Sequence, residues 1–310
     1  MRIVFMGTPD FGIPSLEKLV NSKHEVVGVV TAPDKPRGRG LRLSESPVKE
    51  FSKEHNLKIL TPDSLKADVF FNSLKELTPD LLVVVAFRIL PERVFSLPLL
   101  GTVNLHASLL PKYRGAAPIN WALINGETKT GLTTFYIQKK VDTGDLILQK
   151  EIDILPEENF GELHDRLANL GADLLLQTLD LIEKGEAEPI KQDHAQATPA
   201  PKITREHCQI DWSKEAVQIK NQIRGLSPAP AAFTLYKGKF LKIHKAKVIG
   251  ETFFSNGFGE VIESESKEKI WIKTKKGILS ILELQPEGKR KMTAEEFIRG
   301  YRIKVGEKLG

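Results

Sequence analysis

Two polar residues at the end of an apolar run have side chains that could carry out acid–base chemistry. Asn104 and His106 lie two positions apart, so on a β-strand they share one face, while Val103 and Leu105 occupy the other. An amide offers a directed N–H donor, and an imidazole can exchange a proton near neutral pH. Packing explains neither polar side chain well at the end of a buried strand. For an isolated Asn-x-His pair, the alternative interpretation is a hydrogen-bonded turn at the surface.

A carboxylate that could assist this pair lies in the polar loop 139–145. Asp142 follows the apolar run 132–137, and it could reach His106 if the two strands end at the same edge of a sheet. A carboxylate next to an imidazole favours the protonated ring and fixes its orientation. Taken alone, the Asp-Thr-Gly sequence is better interpreted as a simple turn.

The first loop of the chain, residues 7–12, lies where a dinucleotide-binding loop would lie. Pro9 occupies the position of the middle glycine of that fingerprint, the glycine that lets a pyrophosphate approach the backbone. A proline ring blocks this approach and removes an N–H donor, so the loop argues against NAD. It is either a tight strand-to-helix turn or a contact for the substrate. No phosphate-binding loop ending in Gly-Lys-Ser or Gly-Lys-Thr occurs in the sequence.

Metal and disulfide chemistry are both poorly supported by the sequence. Cys208 is the single cysteine, which excludes an intrachain disulfide and a zinc site built on cysteine pairs. The seven histidines lack the close spacing of metal ligands. We therefore expect a site without a metal.

The N-terminal half alternates short β-rich runs with helical patterns, and these elements would position the candidate residues. Apolar runs without alternation fit strands that are covered on both faces. The pattern predicts an α/β fold with a doubly wound, mostly parallel Rossmann-like sheet, whose ligands bind beyond the carboxyl ends of the strands. Ser46 before Pro47 predicts one helix start, and Asn159 with Glu162 predicts another. The predicted strands are 3–6, 26–30, 81–86 and 132–137, and the predicted helices are 15–19, 47–55, 64–77 and 159–184.

The C-terminal third has a different pattern. Residues 186–204 contain prolines and small residues and indicate a linker. Closely spaced β-rich runs follow, with Lys276-Gly277 as a hairpin turn, and they predict a smaller, OB-like antiparallel β-barrel. The predicted elements are a helix at 213–225 and strands at 232–236, 239–249, 258–263, 269–274 and 278–284. We predict a catalytic domain at 1–188, a linker at 189–205 and a barrel domain at 206–310.

Charge is distributed unevenly along the 310 residues. The net charge is +5, yet residues 206–310 alone carry 20 Lys and Arg against 13 Asp and Glu, which suggests a polyanionic partner for the C-terminal domain. Apolar residues make up 41% and charged residues 27%, so disorder is not expected. The sequence contains neither an apolar run of about 18 residues nor a signal peptide. We expect a soluble, cytoplasmic protein.

The candidate residues together resemble one family. The sequence Asn-Leu-His-Ala-Ser-Leu-Leu-Pro at 104–111, followed by Val-Asp-Thr-Gly-Asp at 141–145, is similar to the folate-dependent formyltransferases. The matching Asn, His and Asp are catalytic in that family, which implies a catalytic set of Asn104, His106 and Asp142. The matching Ser-Leu-Leu-Pro contributes to tetrahydrofolate binding there. This implies cofactor contacts from Ser108, Leu109, Leu110 and Pro111.

Within this family the chain is most similar to the methionyl-tRNA formyltransferases. The similarity covers nearly the whole chain and includes the first loop, the basic segment 33–49 and the start of the basic C-terminal region. Two places depart from the family pattern. Ala86-Phe87-Arg88 stands where Ala-Tyr-Gly is usual, and Arg37 and Leu41 differ from the small and basic residues expected in the basic loop, which still keeps its positive charge. In those enzymes the matching basic segment enters the acceptor end of tRNA. This implies tRNA contacts from Lys35, Arg37, Arg39 and Arg42.

The composition of the basic segment agrees with this role. Between positions 35 and 49 there are five basic residues and one acid, with glycines at 38 and 40. A flexible cationic loop can order against phosphates, and arginines can stack on exposed bases. The alternative interpretation is a solvated charged loop.

The resemblance implies a reaction. A formyl group would pass from 10-formyltetrahydrofolate, the donor co-substrate, to the α-amino group of methionyl initiator tRNA for translation initiation, without a metal. Attack by the neutral amine develops an oxyanion, which Asn104 and protonated His106 would stabilise. Asp142 would hold His106 and help to move the proton from the attacking nitrogen.

Three other functions fit part of the sequence. Glycinamide-ribonucleotide formyltransferases share the Asn/His/Asp set but match the N-terminal domain alone. A formyltransferase for a UDP-amino-arabinose should lack the basic loop at 33–40. A non-catalytic RNA-binding module on a decayed enzyme fold is the third, and the intact candidate set argues against it.

Overall fold

The computed structural model describes residues 1–37, 42–264 and 269–310, and for residues 35–37, 42 and 43 it describes the backbone alone. The chain forms two compact units. The first comprises residues 1–115, 130–153 and 164–200, and the second comprises 116–129, 154–163 and 201–310. Two internal segments thus fold with the C-terminal residues. The predicted domain boundaries, 1–188, 189–205 and 206–310, stay a prediction.

The elements of the N-terminal half follow the predicted alternation of strands and helices. The strands are β1 Arg2–Gly7, β2 Glu25–Val30, β3 Lys35–Arg37, β4 Arg42–Ser44, β5 Ile59–Leu60, β6 Leu81–Val85, β7 Thr102–His106, β8 Lys129–Tyr136 and β9 Leu146–Asp153. The helices are α1 Ile13–Val20, α2 Pro47–Glu54, α3 Asp68–Glu76, α4 Glu92–Phe95, α5 Pro118–Ile124 and α6 Phe160–Lys184. Short 3₁₀ turns lie at Asp10–Gly12 and His194–Gln196.

The central sheet of the first unit has seven strands in the order β5-β2-β1-β6-β7-β8-β9. The strands from β5 to β7 pair in parallel, and β8 pairs antiparallel with β7. Strands β1 and β6 are apolar and almost fully buried because helices cover a doubly wound sheet on both faces. The predicted mostly parallel Rossmann-like sheet is therefore confirmed. Its switch from parallel to antiparallel pairing lies beside β7, the strand that carries the candidate residues.

The starts of α2 and α6 obey the capping chemistry predicted from the sequence. Ser46 Oγ accepts a hydrogen bond from the backbone N–H of Lys49 at 3.1 Å, which caps α2. Asn159 and Glu162 form a reciprocal capping box at the start of α6. Gly185, with φ of +71°, follows the last residue of α6. These local signals explain why both helices begin where the sequence predicts.

The second unit is built on an antiparallel sheet. Its helices are α5, whose range is given above, α7 Arg205–Cys208, α8 Ala216–Leu226 and α9 Ala294–Tyr301. Its strands are β10 Ala232–Tyr236, β11 Lys239–Phe253, β12 Val261–Glu263, β13 Ile270–Lys273, β14 Lys276–Pro286 and β15 Met292–Thr293. The sheet order is β10-β11-β14-β13-β12, with β15 added to β14. Helix α8 packs on this sheet, and α5 packs on α8.

The C-terminal residues bridge the two edges of this sheet. Leu309 N–H donates to the carbonyl of Gly259, next to β12, and Gly310 N–H donates to the carbonyl of Leu235 in β10. The predicted antiparallel C-terminal domain is confirmed. The last residue pair between β13 and β14 is Lys273 with Ile278, so residues 274–277 connect the two strands, and the hairpin turn predicted at Lys276-Gly277 is confirmed. Gly277 has a φ of +85°, and Lys276 also pairs with Phe253 of β11, so β14 begins within this turn. Thr274 Oγ1 donates to both the Lys276 and Gly277 carbonyls and fixes this turn. Within the described residues, no helix has both the length and the apolar character needed to span a membrane.

Candidate functional site

The carboxyl end of β7 places Asn104 and His106 on one face, as their spacing predicts. Val103 and Leu105 are buried on the opposite face, where they anchor the strand. The side chain of His106 is also largely buried, whereas that of Asn104 is half-buried. Within the described part of the chain, the Asn104 amide makes no hydrogen bond, so its N–H donors are available to a ligand.

A hydrogen bond to the backbone orients the His106 ring. Its Nε2 lies 2.9 Å from the carbonyl oxygen of Tyr113. A carbonyl can only accept, so Nε2 carries a proton and donates it. The remaining nitrogen, Nδ1, lies 3.9 Å from Oδ2 of Asp142. Nδ1 is therefore the nitrogen that can exchange a proton beside a carboxylate.

Asp142 is held in place through both its side chain and its backbone. Its Oδ2 accepts a hydrogen bond from the backbone N–H of Gly115 at 2.8 Å. Its φ of +53° places the residue in the left-handed region, so the loop must be fixed by other contacts. Gln192 provides them, because its Nε2 donates to the carbonyls of Asp142 at 3.0 Å and Gly144 at 2.7 Å.

Gln192 and Arg114 support the candidate site, and sequence reasoning did not identify either residue. The guanidinium of Arg114 donates to Oε1 of Gln192, through Nε at 3.2 Å, and so orients the amide that holds the Asp142 loop. Burial lowers the pKa of Arg114, and the nearby Asp142 carboxylate opposes that shift. Arg114 lies within the sequence that carries the family resemblance, but Gln192 lies in the predicted linker and had no signal of its own.

Asn104 and Asp142 line the same pocket of about 100 Å³. Its other walls are mostly apolar and include Val84, Phe87 and Phe135. Apolar walls with a few directed polar groups are the common composition of sites that bind small molecules. The structure thus brings the three predicted catalytic residues together: His106 faces Asp142, and Asp142 shares a pocket with Asn104.

Arg88, the residue that departs from the family pattern, supports one wall of this pocket. Its guanidinium donates to the carbonyls of Pro62 at 2.9 Å and Asp63 at 3.2 Å. It also lies 5.2 Å from the centre of the Phe87 ring. Burial lowers the pKa of Arg88, and Asp63 opposes the shift. Arg88 therefore ties the segment after β6 to the loop before α3.

The predicted folate-contact residues, Ser108 to Pro111, form a tightly bonded turn. Ser108 Oγ donates to the carbonyl of Lys112 at 2.7 Å, and Leu110 N–H donates to Thr133 Oγ1 at 3.1 Å. The side chains of Ser108 and Leu110 are buried. This turn leads the chain back so that the Tyr113 carbonyl meets His106. Folate contacts from Ser108, Leu109, Leu110 and Pro111 stay a prediction.

The predicted tRNA-binding residues lie on or beside a small hairpin. Strands β3 and β4 pair antiparallel, and Lys35, Arg37 and Arg42 lie on them, with Arg37 opposite Arg42. Arg39 lies outside the described residues. Their contacts with tRNA stay a prediction. Lys49, the last basic residue of the segment, is already neutralised, because its Nζ lies 2.7 Å from Asp34 and 3.0 Å from Glu45.

One group of potential metal ligands occurs among the described residues, away from this pocket. His24, Asp180 and Glu183 place one ligand atom each within 4.8 Å of one another. Lys23 Nζ lies 2.8 Å from each of the two carboxylates and already supplies positive charge there. The arrangement is therefore an ion-pair cluster rather than a candidate metal site.

Comparison with known proteins identifies the family. The family described as "Formyl transferase" matches residues 1–179, and "Formyl transferase, C-terminal domain" matches residues 202–302. The methionyl-tRNA formyltransferase of Alkaliphilus oremlandii is 48% identical over 100% of both chains. That of Caldanaerobacter subterraneus is 49% identical over 99% of both chains.

A solved structure shares the fold at lower identity. The methionyl-tRNA formyltransferase from Clostridium thermocellum is 18% identical with a TM-score of 0.55, over 80% of this chain and 93% of that one. The two family matches lie on the two kinds of sheet described above. Of the residues that match the family's catalytic set, Asn104 and Asp142 line one pocket, and His106 faces Asp142. The chain belongs to the formyltransferase family, and within it to the methionyl-tRNA formyltransferases that it matches over its whole length.

Proposed function

We propose that Asn104, His106 and Asp142 catalyse the transfer of a formyl group from 10-formyltetrahydrofolate to the α-amino group of methionyl initiator tRNA. One observation carries this assignment: the His106 ring is held between the Tyr113 carbonyl and the Asp142 carboxylate, while Asp142 lines a pocket together with the free Asn104 amide. An amide donor and a carboxylate in one pocket, with a proton-exchanging ring beside the carboxylate, are what acyl transfer to an amine requires.

The reaction forms one C–N bond and breaks another. The neutral α-amine attacks the formyl carbon, and the carbonyl oxygen becomes an oxyanion. When this intermediate collapses, the bond to N10 of the folate breaks, the formyl group stays on the methionine nitrogen, and the amine proton passes to the departing nitrogen. The enzyme must therefore stabilise one negative charge and move one proton.

Asn104 is placed to stabilise the oxyanion. Its amide N–H groups have no partner among the described residues, and the side chain lines the pocket. A donor that is fixed before the charge develops contributes about 100- to 1,000-fold in rate. Protonated His106 would add a second donor through Nδ1, because Nε2 is already committed to Tyr113.

Asp142 is placed to handle the proton. Its Oδ2 is occupied by the Gly115 N–H and faces His106, so Oδ1 is the oxygen available to the attacking amine, directly or through one water. General acid–base assistance of this kind contributes about 100- to 10,000-fold in rate. The Gln192 contacts keep the loop rigid, which prevents the carboxylate from turning away.

The tRNA is held by basic surfaces in this proposal. Lys35, Arg37, Arg39 and Arg42 on the segment around β3 and β4 contact the acceptor end, and the basic C-terminal unit supplies further phosphate contacts. Such contacts release counterions, so the affinity for tRNA should fall steeply with salt concentration. We place the reaction in the cytoplasm, where translation begins.

A parallel assay of acceptors tests the proposed function. The enzyme is given formyl donor with methionyl initiator tRNA, methionyl elongator tRNA, glycinamide ribonucleotide or a UDP-amino-arabinose. We expect rapid formylation of the initiator tRNA alone. Preferred use of either small amine would contradict the proposal, and absence of any transfer would favour a non-catalytic RNA-binding protein.

A further inference from the structure

The second unit contains a cavity that the formyl-transfer site does not use. It has a volume of about 410 Å³ and opens between α7, β10 and the start of β11. Its floor is largely apolar and is formed by Ile203, Cys208, Pro230, Ala231 and Phe233. This volume lies in the range of sites that hold a small molecule or one residue of a polymer.

Two cations lie at the rim of this cavity. The Arg205 guanidinium lies 4.8 Å from the centre of the Phe240 ring and 5.9 Å from that of Phe233. Lys242 stands opposite Phe233 in the β10–β11 register, and its side chain is exposed. Within the described ranges, neither cation forms an ion pair with a carboxylate. The rim therefore offers uncompensated positive charge next to aromatic rings.

The other ionisable groups near the cavity leave a net positive charge. Glu206 is a nearby acid, and a hydrogen bond from Thr204 lowers its pKa and favours its charged form, so it offsets at most one of the two positive charges. Burial raises the pKa of the Cys208 thiol, an effect that Lys242 opposes and Glu206 reinforces. Cys208 Sγ donates to the Thr204 carbonyl at 3.3 Å, so it is a neutral part of the wall.

This combination fits a planar ring that carries a phosphate. Arginine planes and aromatic side chains stack on unpaired bases of RNA, and lysines pair with phosphates. We propose that this cavity binds one unpaired nucleotide of the substrate tRNA, with its base against Arg205 and Phe240 and its phosphate at Lys242. The inference rests on the proposed function, because it takes the tRNA substrate as the source of the nucleotide.

The charge of the surrounding unit supports an RNA strand as the occupant. Residues 206–310, which make up most of this unit, carry 20 basic and 13 acidic residues, so a polyanion is attracted to this part of the chain. Burial of the base against the apolar floor is favourable, whereas contacts with phosphates alone would need no cavity. The cavity thus adds a binding site for a base to a surface that otherwise attracts RNA only through the charge of its phosphates.

A double-mutant cycle between protein and RNA tests the inference. Initiator tRNAs that each lack one base are compared for binding to the wild type, to Arg205→Ala and to Phe240→Leu, which keeps the apolar bulk but removes the ring. At one unpaired position, we expect base removal to weaken wild-type binding about 5- to 150-fold. The same removal should have little further effect on either variant. If no position couples to Arg205 or Phe240, the inference is wrong.

A matched pair of lysine variants tests the phosphate contact. Lys242→Ala should reduce the slope of log affinity against log salt by about one, as expected for the loss of one phosphate contact. Lys247→Ala removes the same charge from an exposed position on the same strand and should leave the slope nearly unchanged. Equal slopes for the two variants would contradict the role of Lys242.

The outcomes separate this inference from the proposed function. If the wild type does not formylate methionyl-tRNA, the proposed function fails. If the wild type formylates normally and its turnover at saturating tRNA is unchanged in all variants, yet no base couples to the cavity, only the inference fails. Submillimolar binding of AMP without such coupling would assign the cavity to a free nucleotide and would also overturn the inference.

Discussion

His106 Nδ1 lies 3.9 Å from Asp142 Oδ2, and each of the two side chains is also held by a hydrogen bond to the backbone. The Tyr113 carbonyl holds the imidazole, and the Gly115 N–H holds the carboxylate. Because Tyr113 and Gly115 belong to one short segment, a single turn of the chain orients both groups. The geometry of the pair therefore depends on residues that need not touch substrate.

Gln192 should behave as a positioning residue. Gln192→Ala removes both side-chain hydrogen bonds that fix the Asp142 loop, so we expect kcat to fall about 10- to 100-fold with little change in KM for tRNA. The free energy of unfolding should fall by about 1–3 kcal/mol because buried carbonyls lose their donor. Steady-state kinetics and urea unfolding measure both effects. Gln196→Ala, at an exposed position nearby, is the control and should change neither, and equal behaviour of the two variants would refute the role.

Arg88 should matter for the formyl donor more than for tRNA. Arg88→Ala removes the hydrogen bonds that tie the pocket wall to the Pro62 and Asp63 carbonyls. We expect KM for the formyl donor to rise about tenfold, which corresponds to a loss of about 1.4 kcal/mol in binding free energy. Kinetics at fixed, saturating tRNA check this value. Arg93→Ala removes a more exposed arginine that pairs with Asp68, and it should leave KM for the donor unchanged. An unchanged KM for the donor in Arg88→Ala would show that the pocket wall does not depend on the Arg88 hydrogen bonds.

Gly144 leaves no room for a side chain. A Cβ at this position would lie 1.6 Å from the Tyr136 carbonyl oxygen, so Gly144→Ala must displace the loop that carries Asp142. We expect the free energy of unfolding to fall by about 1–3 kcal/mol, together with a loss of activity. Gly300→Ala, in α9 with no atom within 4 Å of the new Cβ, should instead be neutral or stabilising. Denaturant unfolding and a formylation assay of both variants provide the comparison, and an active, stable Gly144→Ala protein would be inconsistent with the structure.

His24 should make the fold sensitive to mild acid. Its side chain is fully buried, and burial, helped by the N-terminal ammonium, lowers its pKa below the ordinary value of 6.5. As the pH falls below about 6.5, His24 takes up a proton in the unfolded chain before it does so in the folded protein. The stability that neutral His24 contributes is therefore complete above about pH 6.5, and it is lost as the pH falls from there to the lower pKa of the folded protein. Urea unfolding at pH 7.5 and 5.5 should show a smaller free energy at pH 5.5, and His24→Gln should reduce the difference. An identical pH dependence in the variant would contradict this role of His24.

The sequence predicted most of the fold and identified Asn104, His106 and Asp142 as candidate catalytic residues, but it did not predict the residues that hold these candidates in place. Asn104 and His106 were identified because side chains alternate between the two faces of a strand, which is a local property of the sequence. Asp142 was identified because it follows a strand that was expected to end at the same edge of the sheet as theirs. Gln192 was missed because its contacts join positions far apart in the sequence, inside a segment whose composition indicates only a linker. The hairpin turn at Lys276-Gly277 was predicted because glycine is a local turn signal, and the Thr274 hydroxyl bonds to the Lys276 and Gly277 carbonyls there.

Other features depend on contacts between distant segments. The closing of the second unit by Leu309 and Gly310 joins strands that are separated by many residues, and no local pattern indicates it. The neutralisation of Lys49 by Asp34 and Glu45 likewise reduces the charge that counting along the sequence assigned to the basic segment. In this protein the residue types predict the helices and strands well, whereas the hydrogen-bond and ion-pair partners of each side chain are known only from the structure.

The central claim is that Asn104, His106 and Asp142 act on one carbonyl. The most direct test is the single-turnover rate of formyl transfer to methionyl initiator tRNA, at saturating donor and tRNA, for Asn104→Ala, His106→Ala and Asp142→Asn. We predict that each rate falls at least about 100-fold while the proteins remain folded and bind tRNA normally. Rates near that of the wild type in all three folded variants would contradict the account.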